Sequence, residues 1–348
     1  MRRTSLIAYC TMACVTLSAA ARVATAADSE WPVYRHDARQ SGVSLAKGDI
    51  QDPRVLWEHY LGTPRTPLAT NHLSRPANTA DLDGDVALEL FSLADRTITV
   101  TDEAGDELWS FTVDGRPLGN IVRVRSVLPD QRGQQIVVFS SRMDTGEGQG
   151  YCFSFHRGAD SGELAWTTGP LDGQHAPTLV IDDVDADGLL DIVSAPHYRV
   201  QIFSGQTGEL KAEVPWEVGR NYGILLTRPR PDAPQKDIYI VCDFVLHVDC
   251  IRYVDGDWIH AWGHKYFEPN SPRPKGRQSY IRVGPNPVTD LNADGADEMA
   301  YMLVEAAKED QWRLRVRAGE TGEVLADILG IWLWSIADLD GDGLAEII

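Results

Sequence analysis

The sequence predicts an all-β protein assembled from a repeated antiparallel sheet. Three observations carry that expectation. A nine-residue acidic loop recurs four times, each copy set between short apolar runs. An acidic or polar turn containing Gly, followed by an apolar strand, recurs between those loops. Together they mark repeats of roughly 45 to 60 residues, the period of four-stranded β-propeller blades. The reading places five complete blades near 73–113, 120–168, 175–214, 219–262 and 280–327, with part of a sixth from Ile331.

The acidic loops come first because they carry chemistry. One copy runs Asp183-Val184-Asp185-Ala186-Asp187-Gly188-Leu189-Leu190-Asp191, and the others begin at Asp81, Asp290 and Asp338. Positions 1, 3, 5 and 9 offer side-chain oxygens: Asp183, Asp185, Asp187 and Asp191; Asp81, Asp83, Asp85 and Glu89; Asp290, Asn292, Asp294 and Glu298; Asp338, Asp340, Asp342 and Glu346. Such spacing suits calcium, because alternate side chains turn inward around a hard cation. Gly at position 6 allows a positive-φ turn, and the carbonyl at position 7 (Ala87, Leu189, Ala296 or Leu344) can complete the shell. Without a cation, carboxylates packed this closely repel one another. An EF-hand would need a bidentate Glu at position 12, where Ser92, Ser194 and Tyr301 stand instead. In the copy at Asp81, Val86 takes the place of Gly. A β-branched residue resists positive φ, so a metal there requires a different backbone, one that uses the freedom of Gly84.

The apolar runs beside each loop, such as Thr178–Ile181 and Asp191–Val193, read as paired strands. Strand, D-x-D-x-D-G-x-x-D/E, strand resembles the FG-GAP or VCBS repeat of integrin-α-like β-propellers. That resemblance implies a calcium ion held between the first two strands of a blade, with a structural role, on the face opposite the ligand surface. The Gly-containing turns are 102–109, 160–166, 206–210 and 320–325, with a shortened fifth at Asp255-Gly256-Asp257-Trp258. They resemble the T-G-E-x-x-W signature of PQQ-like propeller repeats. Trp31 to Gly42 resembles the opening of bacterial PQQ-like propeller proteins. In the second and fourth repeats, 128–133 and 229–232 replace the acidic loop without its carboxylates and are expected to be ordinary turns.

Residues 1–27 have the form of a signal peptide: Arg2-Arg3, an apolar stretch from Leu6 to Ala21, and small residues before Asp28. Lipoprotein processing at Cys10 or Cys14 fits a lipobox less well. No later apolar stretch reaches transmembrane length, so an exported, soluble chain is expected, in the periplasm, at the cell surface or outside the cell. Residues 28–72 are read as a lead-in ending in a closing strand at Val55–Glu58, and 73–348 as the repeats. The last repeat stops after its first strands, which suggests a fragment of a seven- or eight-bladed ring. The formal charge is −19, and loss of Arg2, Arg3 and Arg22 with the signal makes it −22. A surface this acidic repels polyphosphate, which argues against a nucleic-acid partner. Cys152, Cys242 and Cys250 show no metal spacing; the last two are either a cross-strand disulfide or two buried thiols.

No P-loop, G-x-S-x-G elbow or H-E-x-x-H motif is present. Trp57, Trp109, Trp166, Trp258 and Trp312 are assigned to packing between repeats. The basic and aromatic stretch from His264 to Tyr280 reads as a linker, or as a surface for an acidic sugar or a partner's carboxylates. The expectation is therefore a non-catalytic calcium-binding module with a protein or glycan ligand. Two enzyme readings stand beside it: a calcium-bearing propeller polysaccharide lyase, and a PQQ-like quinoprotein. The second lacks the vicinal disulfide usual in that family.

Overall fold

A computed structural model describes residues 79–119, 121–141, 147–155, 162–169, 171–172, 178–196, 199–215, 223–228, 230, 232–242, 247–266, 280–284, 287–304, 311–341 and 344–348. The signal segment, the lead-in with Trp31–Gly42 and Trp57, and most of the 264–280 stretch lie outside the described residues. Among the described residues every regular element is a β-strand, and no helix is long and apolar enough to cross a membrane.

The strands form successive antiparallel sheets in chain order. The first sheet is β1 (Thr79–Ala80), β2 (Glu89–Ala94), β3 (Thr97–Thr101) and β4 (Glu107–Thr112). The second is β5 (Ile121–Arg125), β6 (Gln135–Ser141), β7 (Glu147–Ser154) and β8 (Glu163–Thr167), with β9 (Leu171–Asp172) added against β7. The third is β10 (Thr178–Asp182), β11 (Asp191–Ala195), β12 (Arg199–Ser204) and β13 (Leu210–Pro215). The fourth is β14 (Gly223–Thr227), β15 (Asp237–Cys242), β16 (His247–Val254) and β17 (Asp257–Lys265). In the fifth, β18 (Tyr280–Arg282) and β19 (Val288–Thr289) both pair with β20 (Glu298–Val304), which is followed by β21 (Arg313–Ala318) and β22 (Val324–Leu329). A two-stranded ladder of β23 (Ile336–Ala337) and β24 (Glu346–Ile347) comes last.

The second and fifth sheets thus hold one strand more than the four expected. In the fifth, β18 and β19 act as two pieces of one first strand, each paired with β20. Pro287 has no N–H to give the ladder, and its carbonyl accepts from Ala300 at 2.8 Å.

Neighbouring sheets pack face to face, which explains the nearly continuous apolar runs of the inner strands. Leu179 and Ile181 pack towards the second sheet, whereas Val180 between them packs towards the fourth. Likewise Leu225 joins the core shared with the fifth sheet, while Ile224 and Leu226 join the core shared with the third. Alternation with a period of two therefore puts apolar side chains on both faces. Fourth strands are the more exposed: β14 and β15 are buried throughout, whereas β17 and β22 hold no buried residue. The first strands of successive sheets run side by side, β5 by β10, β10 by β14 and β14 by β19. Between the first two of these sheets, the buried Arg123 donates from Nε to the Leu179 carbonyl at 2.9 Å, and burial lowers its pKa to about 10.

Tryptophans on fourth strands join consecutive sheets at their outer parts. A Cβ on Gly162 would lie 2.5 Å from Trp109, one on Gly208 2.5 Å from Trp166, and one on Gly322 2.5 Å from Trp262. The indole N–H groups of Trp166 and Trp262 donate to the carbonyls of Gly205 and Gly319, each at 3.0 Å. Trp262 therefore fills the role expected of Trp258. A bulge between Cys250 and Ile251 of the β16–β17 pairing sets this phase, leaving Trp258 opposite Tyr253, its ring 5.2 Å away. Trp312 packs edge to face on Trp332, 4.9 Å away. The first, second and fourth sheets carry Trp109, Trp166 and Trp262 at this position, whereas the third and fifth carry Ala212 and Ala326, and Gly256, in the turn that follows the third sheet, accordingly has open space around it.

Cys152, Cys242 and Cys250 are buried thiols and form no disulfide. Cys242 stands opposite His247 and Cys250 opposite Tyr239, so the register keeps the two apart.

Gly208 (φ 72°) and Gly256 (φ 95°) share a left-handed backbone but differ in surroundings. Gly256→Ala should cost about 1 kcal/mol, the backbone strain alone. Gly208→Ala adds a clash with Trp166 and should cost about 3 kcal/mol. Urea unfolding of the two variants tests that order.

Candidate metal centre

Each acidic loop joins the first two strands of its sheet: 81–88 between β1 and β2, 183–190 between β10 and β11, 290–297 between β19 and β20, and 338–345 between β23 and β24. In an antiparallel meander, the connection between strands one and two shares an end with the turn between strands three and four. All four loops therefore emerge at the same end of their sheets.

The loops use one internal wiring scheme. The position-9 carboxylate, on the first residue of the second strand, accepts from the position-2 N–H: Leu82 to Glu89 at 2.7 Å, Val184 to Asp191 at 3.2 Å, Leu291 to Glu298 at 2.8 Å and Leu339 to Glu346 at 2.8 Å. The position-1 carboxylate accepts from position 6, with Val86, Gly188 and Gly295 donating at 3.1, 3.1 and 2.9 Å. Position 5 accepts from position 7, so Asp85, Asp187 and Asp294 hold the N–H groups of Ala87, Leu189 and Ala296 at 2.9, 2.8 and 2.8 Å. Short acidic side chains bonding the backbone two residues on are Asx-turns, and they curl the segment without tertiary help.

This wiring aims remaining oxygens at a common centre. Asp81, Asp83 and Asp85 form one group, Asp183, Asp185 and Asp191 a second, and Asp338, Asp340 and Glu346 a third, each with one oxygen per residue mutually within 4.8 Å. In the loop at Asp290 the third position is Asn292, whose amide donates to Glu298 at 3.2 Å and whose oxygen accepts from Asp294 N–H at 2.9 Å. Asp342 lies outside the described residues.

Positive φ occurs at position 4 in every copy: Gly84 at 80°, Ala186 at 64°, Ala293 at 63° and Gly341 at 81°. At position 6, Val86 (78°) takes the same turn as Gly188 and Gly295 (both 86°). The different backbone expected around Val86 is therefore not found. Its N–H is held by Asp81, and its side chain, 85% exposed, points away from any crowding.

The electrostatics call for a cation. Burial pushes the Glu89 carboxyl up; the Leu82 N–H opposes the rise, and Asp83, Asp85 and Asp81 add to it. Glu298 is raised in the same way, by burial first and then by Asp294, Asp290 and Asp297. Asp183 Oδ1 is buried with no hydrogen-bond partner among the described residues. An oxygen-only donor set with a buried, unsatisfied carboxylate oxygen fits a hard divalent ion.

At 183–191, Lys211 of β13 enters the cluster; sequence reasoning passed over it. Its ammonium lies 2.6 Å from Asp185 Oδ2, 2.8 Å from Asp191 Oδ1 and 3.0 Å from Asp187 Oδ2. Burial works against its charge, but the three carboxylates outweigh it and hold the ammonium above the usual lysine range. Asp187 ends below its ordinary value because the Leu189 N–H and Lys211 overcome burial, whereas burial keeps Asp191 above its own. The only trace of this lysine in the sequence is that it follows the turn Gln206–Leu210.

The loops also tie sheets together. Gln134 N–H donates to the Asp81 carbonyl at 2.9 Å, and Lys236 N–H to the Val184 carbonyl at 2.9 Å. The segments that replace acidic loops in the second and fourth sheets thus dock on acidic loops of the first and third. Asp297 accepts from Thr227 Oγ1 at 2.7 Å and from Arg228 N–H at 3.0 Å, fastening the fifth sheet to the fourth.

Away from the loops, two polar clusters stand out. Buried Asp249 meets His247 Nδ1 and, at 2.6 Å, His260 Nε2. Between the fourth and fifth sheets the Tyr266 and Tyr301 hydroxyls meet, and Arg317 donates to them at 2.9 and 2.8 Å. Arg315 lies 5.1 Å from the centre of the Tyr266 ring.

No protein-family model matches the chain. No curated protein matches it either. Solved structures similar to it include the computationally designed Ika8 protein, with TM-score 0.39 and 13% identity over 75% of this chain and 67% of that one. Rhamnogalacturonan lyase PL11 of Bacillus licheniformis gives TM-score 0.38 and 14% identity over 76% of this chain. The exotype rhamnogalacturonan lyase YesX gives TM-score 0.36 and 14% identity over 71% of this chain. This chain spans 64% and 58% of the lengths of those two lyases.

Val86→Gly should stabilise the protein by about 1 kcal/mol, since it removes left-handed strain at a β-branched residue and loses no packing. A shift of the urea midpoint to higher concentration is the expected result, and an unchanged or lower midpoint would refute the strain.

Proposed function

We propose that the chain is an exported, non-catalytic binding module of the calcium-binding β-propeller type, with a protein or glycan ligand at the ends of the sheets away from the acidic loops. The observation that carries this reading is the convergence of three carboxylates at equivalent corners of three sheets. Side-by-side first strands and burial that declines towards the fourth support a radial arrangement around an axis. In this reading the five sheets and the following ladder belong to a seven- or eight-bladed ring.

A bound calcium ion would neutralise the carboxylates at each corner. The residues assigned to it are Asp81, Asp83, Asp85 and Glu89 in the first sheet, Asp183, Asp185, Asp187 and Asp191 in the third, and Asp290, Asn292, Asp294 and Glu298 in the fifth. Asp338, Asp340, Asp342 and Glu346 serve the ladder. Because the same loops bond to the neighbouring sheet through Asp81, Val184 and Asp297, order at the corners becomes order between sheets. Calcium outside cells, near millimolar, suits exposed loops of this kind. The formal charge of −19 disfavours nucleic acid as the ligand.

A second reading, elimination on an acidic polysaccharide, draws on one observation. The Tyr266 phenol sits beside the guanidinium groups of Arg317 and Arg315, a phenol to take a proton and guanidinium groups to hold a carboxylate. Incubation with pectic polymers decides it: new unsaturated chain ends support elimination, and none removes it.

Thermal melts in calcium and in chelator test the leading reading. Saturating calcium should raise Tm by about 5 °C or more, as expected for a site filled at ~100 times its Kd. Asp83→Ala and Asp340→Ala should each take away part of that rise, and Asp232→Ala none. Coincident melts for the unaltered protein would sink the proposal.

A further inference from the structure

We propose that Lys211 is a built-in counter-ion of the loop 183–191, standing where a metal would stand and lowering this loop's affinity for calcium. The inference rests on the calcium reading above.

The placement of the ammonium carries the argument. In this loop the backbone uses one oxygen of each carboxylate: Asp185 Oδ1 accepts from Asp187 N–H at 3.3 Å, Asp187 Oδ1 from Leu189 at 2.8 Å and Asp191 Oδ2 from Val184 at 3.2 Å. Lys211 takes the other oxygen of all three, Asp185 Oδ2, Asp187 Oδ2 and Asp191 Oδ1. Those are the oxygens that the Asx-turns leave for a cation. An ammonium has three protons, and here each has its own carboxylate. One positive charge meets four acids, so Asp183 Oδ1 remains without a hydrogen-bond partner among the described residues. The site is satisfied in part, enough to hold the loop closed and too little to exclude a divalent ion.

A bulge brings the lysine there. All five full sheets carry a register shift between their third and fourth strands, leaving one fourth-strand residue without a register partner. These residues are Leu108, Ala165, Lys211, Ala261 and Leu325, in sheet order. A bulge re-aims a side chain. Of the sheets with an acidic loop, the first and fifth place leucine at this point, and the third alone places a cation. Calcium entering 183–191 must first displace the ammonium from three charge-assisted bonds.

The test is Lys211→Met, with Lys236→Met as control. Lys236 pairs with Asp182 at 2.5 Å, outside the loop's ligand positions, and its loss changes net charge equally. Calcium titration calorimetry and melts in chelator are run on both variants and the unaltered protein. In Lys211→Met one site should tighten by about tenfold or more, the worth of a single hydrogen bond to a charged group. Its melt in chelator should fall, and the gap between chelator and calcium should widen. Lys236→Met should do neither. A Lys211→Met protein that titrates and melts like Lys236→Met overturns the proposal. Should none of the proteins respond to calcium, the metal reading of the loops fails while the chelator melts still decide Lys211. A fall confined to Lys211→Met upholds the counter-ion, and its absence overturns it.

Discussion

A carboxylate that begins a buried strand has to be answered by something positive, and in this protein that requirement organises the corners. Glu89, Asp191 and Glu298 each sit at the inner end of a second strand, nearly inaccessible to water. Each accepts the backbone N–H of position 2, Glu298 also accepts the Asn292 amide, and several acids lie nearby. Neutral donors alone cannot balance a buried charge among like charges. The remaining balance comes from a cation: a metal in the proposed function, and an ammonium in the third sheet. The Asx-turn wiring is the local consequence, since it spends one oxygen of each acid on the backbone and leaves the other facing inward.

The corners matter because they are also joints. Asp81, Val184 and Asp297 each contribute a backbone or side-chain group to the neighbouring sheet, so a loosened loop would loosen a sheet interface. At the outer parts of the sheets a different contact does similar work, an indole lying flat against the turn of the next repeat. Gly162, Gly208 and Gly322 are required there by the closeness of the ring, with no room for a Cβ. The two kinds of joint vary together in the third sheet. It lacks the tryptophan, its successor's turn is shortened, and its bulge carries Lys211 in place of an apolar residue.

Much of the fold was legible in the sequence. Loop positions and the apolar strands beside them follow from short apolar runs and turn residues at fixed offsets, each a property of about ten consecutive residues, and the repeat period follows from the recurrence of those segments. The carboxylate positions were equally legible, and the resemblance to calcium loops pointed to the same residues. The expectation failed at Val86, where propensity argued for a different backbone. Five local hydrogen bonds to Asp81, Asp83 and Asp85 outweigh the strain of one exposed β-branched residue.

What the sequence determined by itself is therefore the local grammar: strand, acidic curl, strand, with the ligand oxygens in order. Such features are set by neighbours along the chain, and nine residues suffice for them. The tertiary structure decided which side chains arrive from elsewhere. Lys211 reaches Asp191 across 20 positions, Thr227 reaches Asp297 across 70, and Trp262 rather than Trp258 meets the next turn because a bulge shifted the phase of its strand. Bulges and sheet-to-sheet spacing are set by the packing of whole sheets, and no short window of sequence contains both partners.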